Sequence, residues 1–164
     1  MLLRLMAAVM FVLAGAAAGT AGSQRLRRRR ELCREIGCIL RNTSVYIRCM
    51  GLDVYHLVCR LRDNTSLSFI DKLPDSFQEG QNFHRCWHDA LSSEELPDEE
   101  RGLLEELGRT IGTSDVSGQL SAISALEEEL RQLEKKRSEA YLQKGRMYRS
   151  IGVLFGVMAG ILVI

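Results

Sequence analysis

The chain has 164 residues, a net charge of +1, and only 6% aromatic residues against 46% hydrophobic ones. That length allows one domain once the ends are set aside, and the near-neutral balance gives no bulk signal for nucleic acid or an acidic substrate. With two prolines, no alternating period-two run, and Leu, Glu, Arg and Ala prominent, the composition argues against a sheet and for an all-α fold.

In chain order, Leu5 to Gln24 is an uncharged run of 20 residues, long enough to span a bilayer. Arg4, the apolar core and Ala16-Ala17-Ala18 imitate a cleaved signal peptide. Arg25, Arg27, Arg28, Arg29 and Arg30 follow at once, and such a block resists translocation, so residues 1–24 are expected to be an uncleaved anchor. Gly15 and Gly19, four residues apart, give this helix a small face on which another helix can pack. The arginine block has no interleaved aromatic residues, so it reads as an orientation signal and lipid contact and not as a nucleic-acid patch.

Residues 25–150 read as a cytoplasmic helical bundle. Leu26, Cys33, Ile36, Leu40 and Ile47 form an apolar stripe over a first soluble helix, Arg25 to Cys49. Asp53 can cap a short helix, Ser66 to Leu73 forms another closed by Pro74, and Asn82 can cap one whose face carries Phe83, Trp87 and Leu91. Pro97 suits the first position of a helix that continues through Asp98, Glu99 and Glu100, whose charges complement its N-terminal dipole. Leu103, Leu104, Leu107 and Ile111 are its expected buried face. After the turn at Gly112, where only glycine enters the left-handed region cheaply, Ser114 or Asp115 can cap a long helix. One of its apolar rows is Ile123 and Leu130; the other is Leu126, Leu133, Ala140 and Met147. The short turn between the two apolar faces predicts a helical hairpin, and Glu127 and Arg131 are spaced for an ion pair.

Residues 151–164 carry no charge and rise about 21 Å as a helix, less than the roughly 30 Å of a hydrocarbon core. A buried C-terminal helix is the alternative. Lys144, Arg146 and Arg149 just before the run can snorkel to headgroups, and Gly152, Gly156 and Gly160 fall every fourth residue, which favours a membrane segment with a packing groove. The long helix is therefore expected to continue into the membrane.

Candidate chemistry is sparse. His84, Cys86 and His88 resemble metal ligands, but Cys86 leaves the face shared by the two histidines. A zinc site would need about two more ligands, for which His56 and Cys59 could serve, and surface histidines beside a half-buried cysteine are the simpler reading. No phosphate loop, nucleophile elbow or paired catalytic carboxylates occur at a usable spacing. An enzyme, a cofactor and a small-molecule substrate are not expected. Five cysteines, at Cys33, Cys38, Cys49, Cys59 and Cys86, sit in apolar-looking helical positions and fit a reducing compartment. The acidic stretch with Glu94, Glu95, Asp98, Glu99 and Glu100 is the best candidate for docking a basic partner, although such a patch is usually a solvated face.

The segment from Gly102 to Asp115, followed by Gly118-Gln119, closely resembles stage III sporulation protein AB, as does Lys144 to Gly152. Phe77 through Trp87 to Leu91 is similar to that family's middle section. The resemblance implies an integral membrane part of the channel-like complex that links mother cell and forespore in endospore-forming bacteria. It also implies a soluble domain like that of the type II secretion inner-membrane platform protein. The implied partners are other stage III channel proteins, the AA-component ATPase and membrane lipids, with the protein in the mother-cell membrane facing the forespore. The alternative is a generic membrane-anchored helical adaptor or scaffold unrelated to sporulation. A third class, a secreted helical enzyme, would need an oxidised cysteine framework and a catalytic constellation that the sequence does not offer.

Overall fold

A computed structural model describes the backbone of residues 2–50, 53–74 and 82–163; side chains are described throughout 20–49, 53–74 and 82–143 and at scattered positions toward the two chain ends. The described secondary structure is all helical. The elements are α1 (Leu2–Met50), α2 (Val54–Arg62), α3 (Ser68–Asp71), α4 (Phe83–Ser92), α5 (Asp98–Thr110) and α6 (Val116–Val163). The chain forms two compact units, one of Leu32–Leu133 and one of the paired ends Met1–Glu31 and Glu134–Ile164.

Short polar residues set the helix starts, as their chemistry requires. Asp53 Oδ1 accepts the His56 N–H at 2.9 Å at the start of α2, and Asn82 Oδ1 accepts the His84 N–H at 2.9 Å at the start of α4. Asp115 Oδ1 accepts the Gly118 N–H at 3.1 Å at the start of α6. Pro97 stands one place earlier than expected, as the residue before α5. Between α5 and α6, Gly112 adopts φ +76°, a conformation costly for any residue with a Cβ. Gln119 then closes the turn from both sides. Its Oε1 accepts the Gly112 N–H at 3.1 Å, and its Nε2 donates to the Ser114 carbonyl at 2.7 Å.

All the described core residues lie in the Leu32–Leu133 unit and form one cluster. It takes Cys33, Ile36, Leu40 and Ile47 from α1, Leu103, Leu104 and Leu107 from α5, and Ile123, Leu126, Leu130 and Leu133 from α6. The helical spacing of these residues is the reason their helices pack there; each fully buried Leu or Ile contributes about 1.5–3 kcal/mol. At Gly37 a Cβ would stand 3.3 Å from Leu130 Cδ2, so the small residue lets α1 and α6 approach closely in this unit.

The structure corrects several expectations. The residues expected to form an anchor and a first soluble helix lie in one uninterrupted α1, since the run from Leu5 to Cys49 has no proline and the arginines are good helix formers. The long helix expected after the Gly112 turn is α6, and it runs through Ser150 without a break, as its sequence suggests. The third helix is only Ser68–Asp71. Arg131 pairs with Glu128 at 2.8 Å, one helical turn away at i,i+3, and not with Glu127. The apolar row on α6 ends at Leu133, since Met147 is exposed. Cys38 and Cys49 are also exposed, off the apolar stripe that buries Cys33. Among the described residues no helix is long and apolar enough to cross a membrane. Gly15, Gly19, Gly152, Gly156 and Gly160 lie outside the residues whose side-chain surroundings are described.

Candidate functional site

Helices α4 and α5 pack against each other, and Trp87 fixes their register. The Trp87 side chain is 1% exposed, and its Nε1–H donates to the Leu104 carbonyl at 2.9 Å. It packs against Gly108, where any Cβ would collide with the indole. Phe69 meets the same indole edge-on, with ring centroids 5.1 Å apart. His84 Nδ1 lies 2.8 Å from the Gly108 carbonyl, a second tie between the helices. His84, Trp87 and Gly108, with His88, Glu105 and Arg109, line an open cleft. No local sequence signal joins Trp87 to Gly108; a tryptophan one turn from a histidine and a glycine within a leucine-rich helix become neighbours only through the tertiary fold.

The acidic stretch occupies the α4–α5 connection and the first turn of α5. Glu94 is committed internally: its Oε1 accepts from Lys72 Nζ at 2.6 Å and from Ser68 Oγ at 2.7 Å. The Lys72 hydrogen bond, then that of Ser68, holds the Glu94 carboxyl below the usual glutamate range. The connection is further closed by Arg101, which donates to the Glu94 carbonyl at 2.8 Å. Glu95, Asp98 and Glu99 are exposed. Glu100 is fully buried and accepts the Cys33 thiol at 3.8 Å, so it points into the core. A signal for this was present in the sequence. Glu100 shares the i, i+3, i+4, i+7 face of Leu103, Leu104 and Leu107. The exposed members of the acidic stretch are therefore Glu95, Asp98 and Glu99.

The candidate metal ligands do not converge. His84 faces Gly108, His88 lies 3.8 Å from Glu105, and His56 bonds Asp53 at 2.9 Å. Among the described residues no three His, Cys, Asp or Glu side chains come together as a metal site.

The unit formed by the chain ends holds a second polar feature. Arg27 Nε donates to Glu31 Oε1 at 2.8 Å, and the Arg30 guanidinium carbon stands 5.8 Å from the centre of the Tyr141 ring. Ser23 is 8% exposed. A cleft of about 180 Å³ is lined by Thr20, Ser23, Gln24, Arg27 and Tyr141.

The family model for stage III sporulation protein AB matches residues 4–164. The chain belongs to the stage III sporulation protein AB family. Comparison with curated proteins and with solved structures gave no match. Membership in the stage III sporulation protein AB family gives the protein a role in sporulation and replaces the reading as an adaptor unrelated to it. The match covers both uncharged ends as well as the helical core, so the ends are part of what the stage III sporulation protein AB family shares.

Proposed function

We propose that this member of the stage III sporulation protein AB family is a non-enzymatic membrane component of the channel-like complex between mother cell and forespore. In this reading the uncharged ends of α1 and α6 insert into the mother-cell membrane that faces the forespore. The helical bundle between them lies in the cytoplasm as a platform for the AA-component ATPase and other stage III channel proteins. The observation that carries the proposal is that α1 and α6 both run far beyond the last core residues, Cys33 and Leu133, into a unit of their own. Helices of this length extended past a core need another medium or partner for their apolar ends, and an uncharged run flanked by arginines suits a bilayer. The glycines Gly15, Gly19, Gly152, Gly156 and Gly160 would let the inserted ends approach each other closely, within one chain or between copies. Exposed Glu95, Asp98 and Glu99 supply a negative face for a basic partner.

The test is topology in sporulating cells. Cys38 and Cys49 are exposed thiols in the core unit. A membrane-impermeant thiol reagent should label them only after permeabilisation. Labelling in intact cells would reverse the topology, and release of the chain by alkaline extraction would remove it from the membrane.

A further inference from the structure

We propose that the cleft between Thr20, Ser23, Gln24, Arg27 and Tyr141 binds the phosphate headgroup of an anionic phospholipid. The inference rests on the membrane reading above and deepens it by naming the lipid contact. The lining offers hydrogen-bond donors from Ser23, Gln24, Arg27 and Tyr141, while the Thr20 hydroxyl spends its single proton on Ala17. Arg27 spends its Nε–H on Glu31, which leaves the terminal N–H groups of a planar fork suited to phosphate oxygens. The hydroxyl of Thr20 bonds the Ala17 carbonyl at 2.8 Å, which fixes its position at the cleft wall.

The surrounding charge favours an anion. Arg25, Arg28 and Arg29 are exposed, and among the described residues none of them makes an ion pair. Arg30 stacks on Tyr141 with its Nε enclosed and without a hydrogen-bond partner, so its positive charge is held beside the cleft. Along the chain, Glu31 is the sole acid between Leu5 and Arg34.

The level also fits. Thr20 to Gln24 are the last, polar turn of the first uncharged run. Tyr141 precedes Ile151 by ten residues, a rise of about 15 Å, so it falls outside the second run on the same side. The cleft thus joins a donor set and a positive surround at the polar end of the first uncharged run.

The experiment uses the full-length chain in nanodiscs of phosphatidylglycerol and phosphatidylcholine in equal parts, with retained lipids read by native mass spectrometry. Wild type should retain phosphatidylglycerol in preference. Arg27→Gln should lower that preference by about tenfold or more, the loss of a charge-assisted hydrogen bond to phosphate. Arg27→Lys should keep most of it, and Tyr141→Phe should weaken it. Arg28→Gln, exposed and outside the cleft, is the control. An equal loss with Arg28→Gln would mean diffuse surface attraction and would overturn the cleft. Displacement of the retained lipid by inorganic phosphate would make the site one for a free anion and would overturn the lipid assignment. Alkaline extraction of the same membranes separates the two levels: a chain that is released refutes the membrane reading, whereas a chain that stays without lipid preference refutes only the cleft.

Discussion

Trp87 rests directly on Gly108: a Cβ at that glycine would collide with Trp87 Cδ1 and Nε1. The indole cannot slide away, since its Nε1–H is bound to the Leu104 carbonyl and its ring edge meets Phe69. Gly108→Ala should therefore destabilise the protein by about 1–3 kcal/mol, the usual cost of overpacking, although alanine is the better helix former. Gly102→Ala is the matched control. Nothing lies within 4 Å of a Cβ there, so the substitution should stabilise by about 0.8–1 kcal/mol. Denaturant unfolding followed by fluorescence of the single tryptophan measures both. Equal effects at the two glycines would show that the indole does not constrain Gly108.

The core substitutions follow from burial. Leu107 is fully buried and Leu126 is 5% exposed, whereas Leu142 is 61% exposed on the same long α6 as Leu126. Leu107→Ala and Leu126→Ala should each cost about 2–5 kcal/mol. Leu142→Ala should change stability by less than about 0.5 kcal/mol. Thermal unfolding of the detergent-solubilised chain resolves the difference. Similar losses at Leu142 and Leu126 would extend the packed core past Leu133.

Helical periodicity made much of this legible. The faces Cys33–Ile36–Leu40–Ile47, Leu103–Leu104–Leu107 and Ile123–Leu126–Leu130–Leu133 are all buried, and Asp53, Asn82 and Gly112 have the local roles their chemistry suggests. Periodicity reports which side of a helix is apolar; it does not report where a continuous helix changes environment. A boundary at Gln24 falls inside the continuous α1, where periodicity leaves no mark. Glu100 was misleading for another reason. Its charge placed it with the exposed acids, while its position on the helix placed it with the leucines, and the position decided. The contacts of Trp87 with Gly108 and of Arg30 with Tyr141 join residues distant in sequence, and no local pattern encodes them.

The pH dependence should include a contribution from Glu94. Lys72 and Ser68 hold its carboxyl below the ordinary value of 4.5 in the folded protein. A depressed folded value means that the unfolded state takes up the proton first as pH falls. The stabilisation is therefore complete above about pH 4.5 and is lost as pH drops through the folded value. Wild type and Glu94→Gln should differ most near neutral pH and converge in acid. Unfolding free energies measured from neutral pH downward check this. A difference that stays constant, or grows, in acid would show that Glu94 does not act through its charge.

The acidic face separates docking from folding. Glu95, Asp98 and Glu99 are exposed, whereas Glu100 lies among core residues with the Cys33 thiol 3.8 Å from its carboxylate. Asp98 and Glu99 begin α5, where negative charge favours the helix dipole, so Asp98→Lys with Glu99→Lys should cost about 0.3–1 kcal/mol per residue and leave the chain folded. Glu95→Lys lies before the helix and should cost less than about 0.5 kcal/mol. If a basic surface of the ATPase docks here, the triple reversal should abolish co-purification with it, while adding salt to wild type should weaken the same contact. Glu100→Ala should behave differently. It removes a buried carboxylate and leaves its donors unsatisfied, so it should cost about 1–3 kcal/mol or more. Any loss of co-purification should then track the folded fraction and not the charge. The comparison is made in sporulating cells, with circular dichroism of the purified chains beside the pull-down. Retention of the ATPase by the folded triple variant would remove this face from the interface.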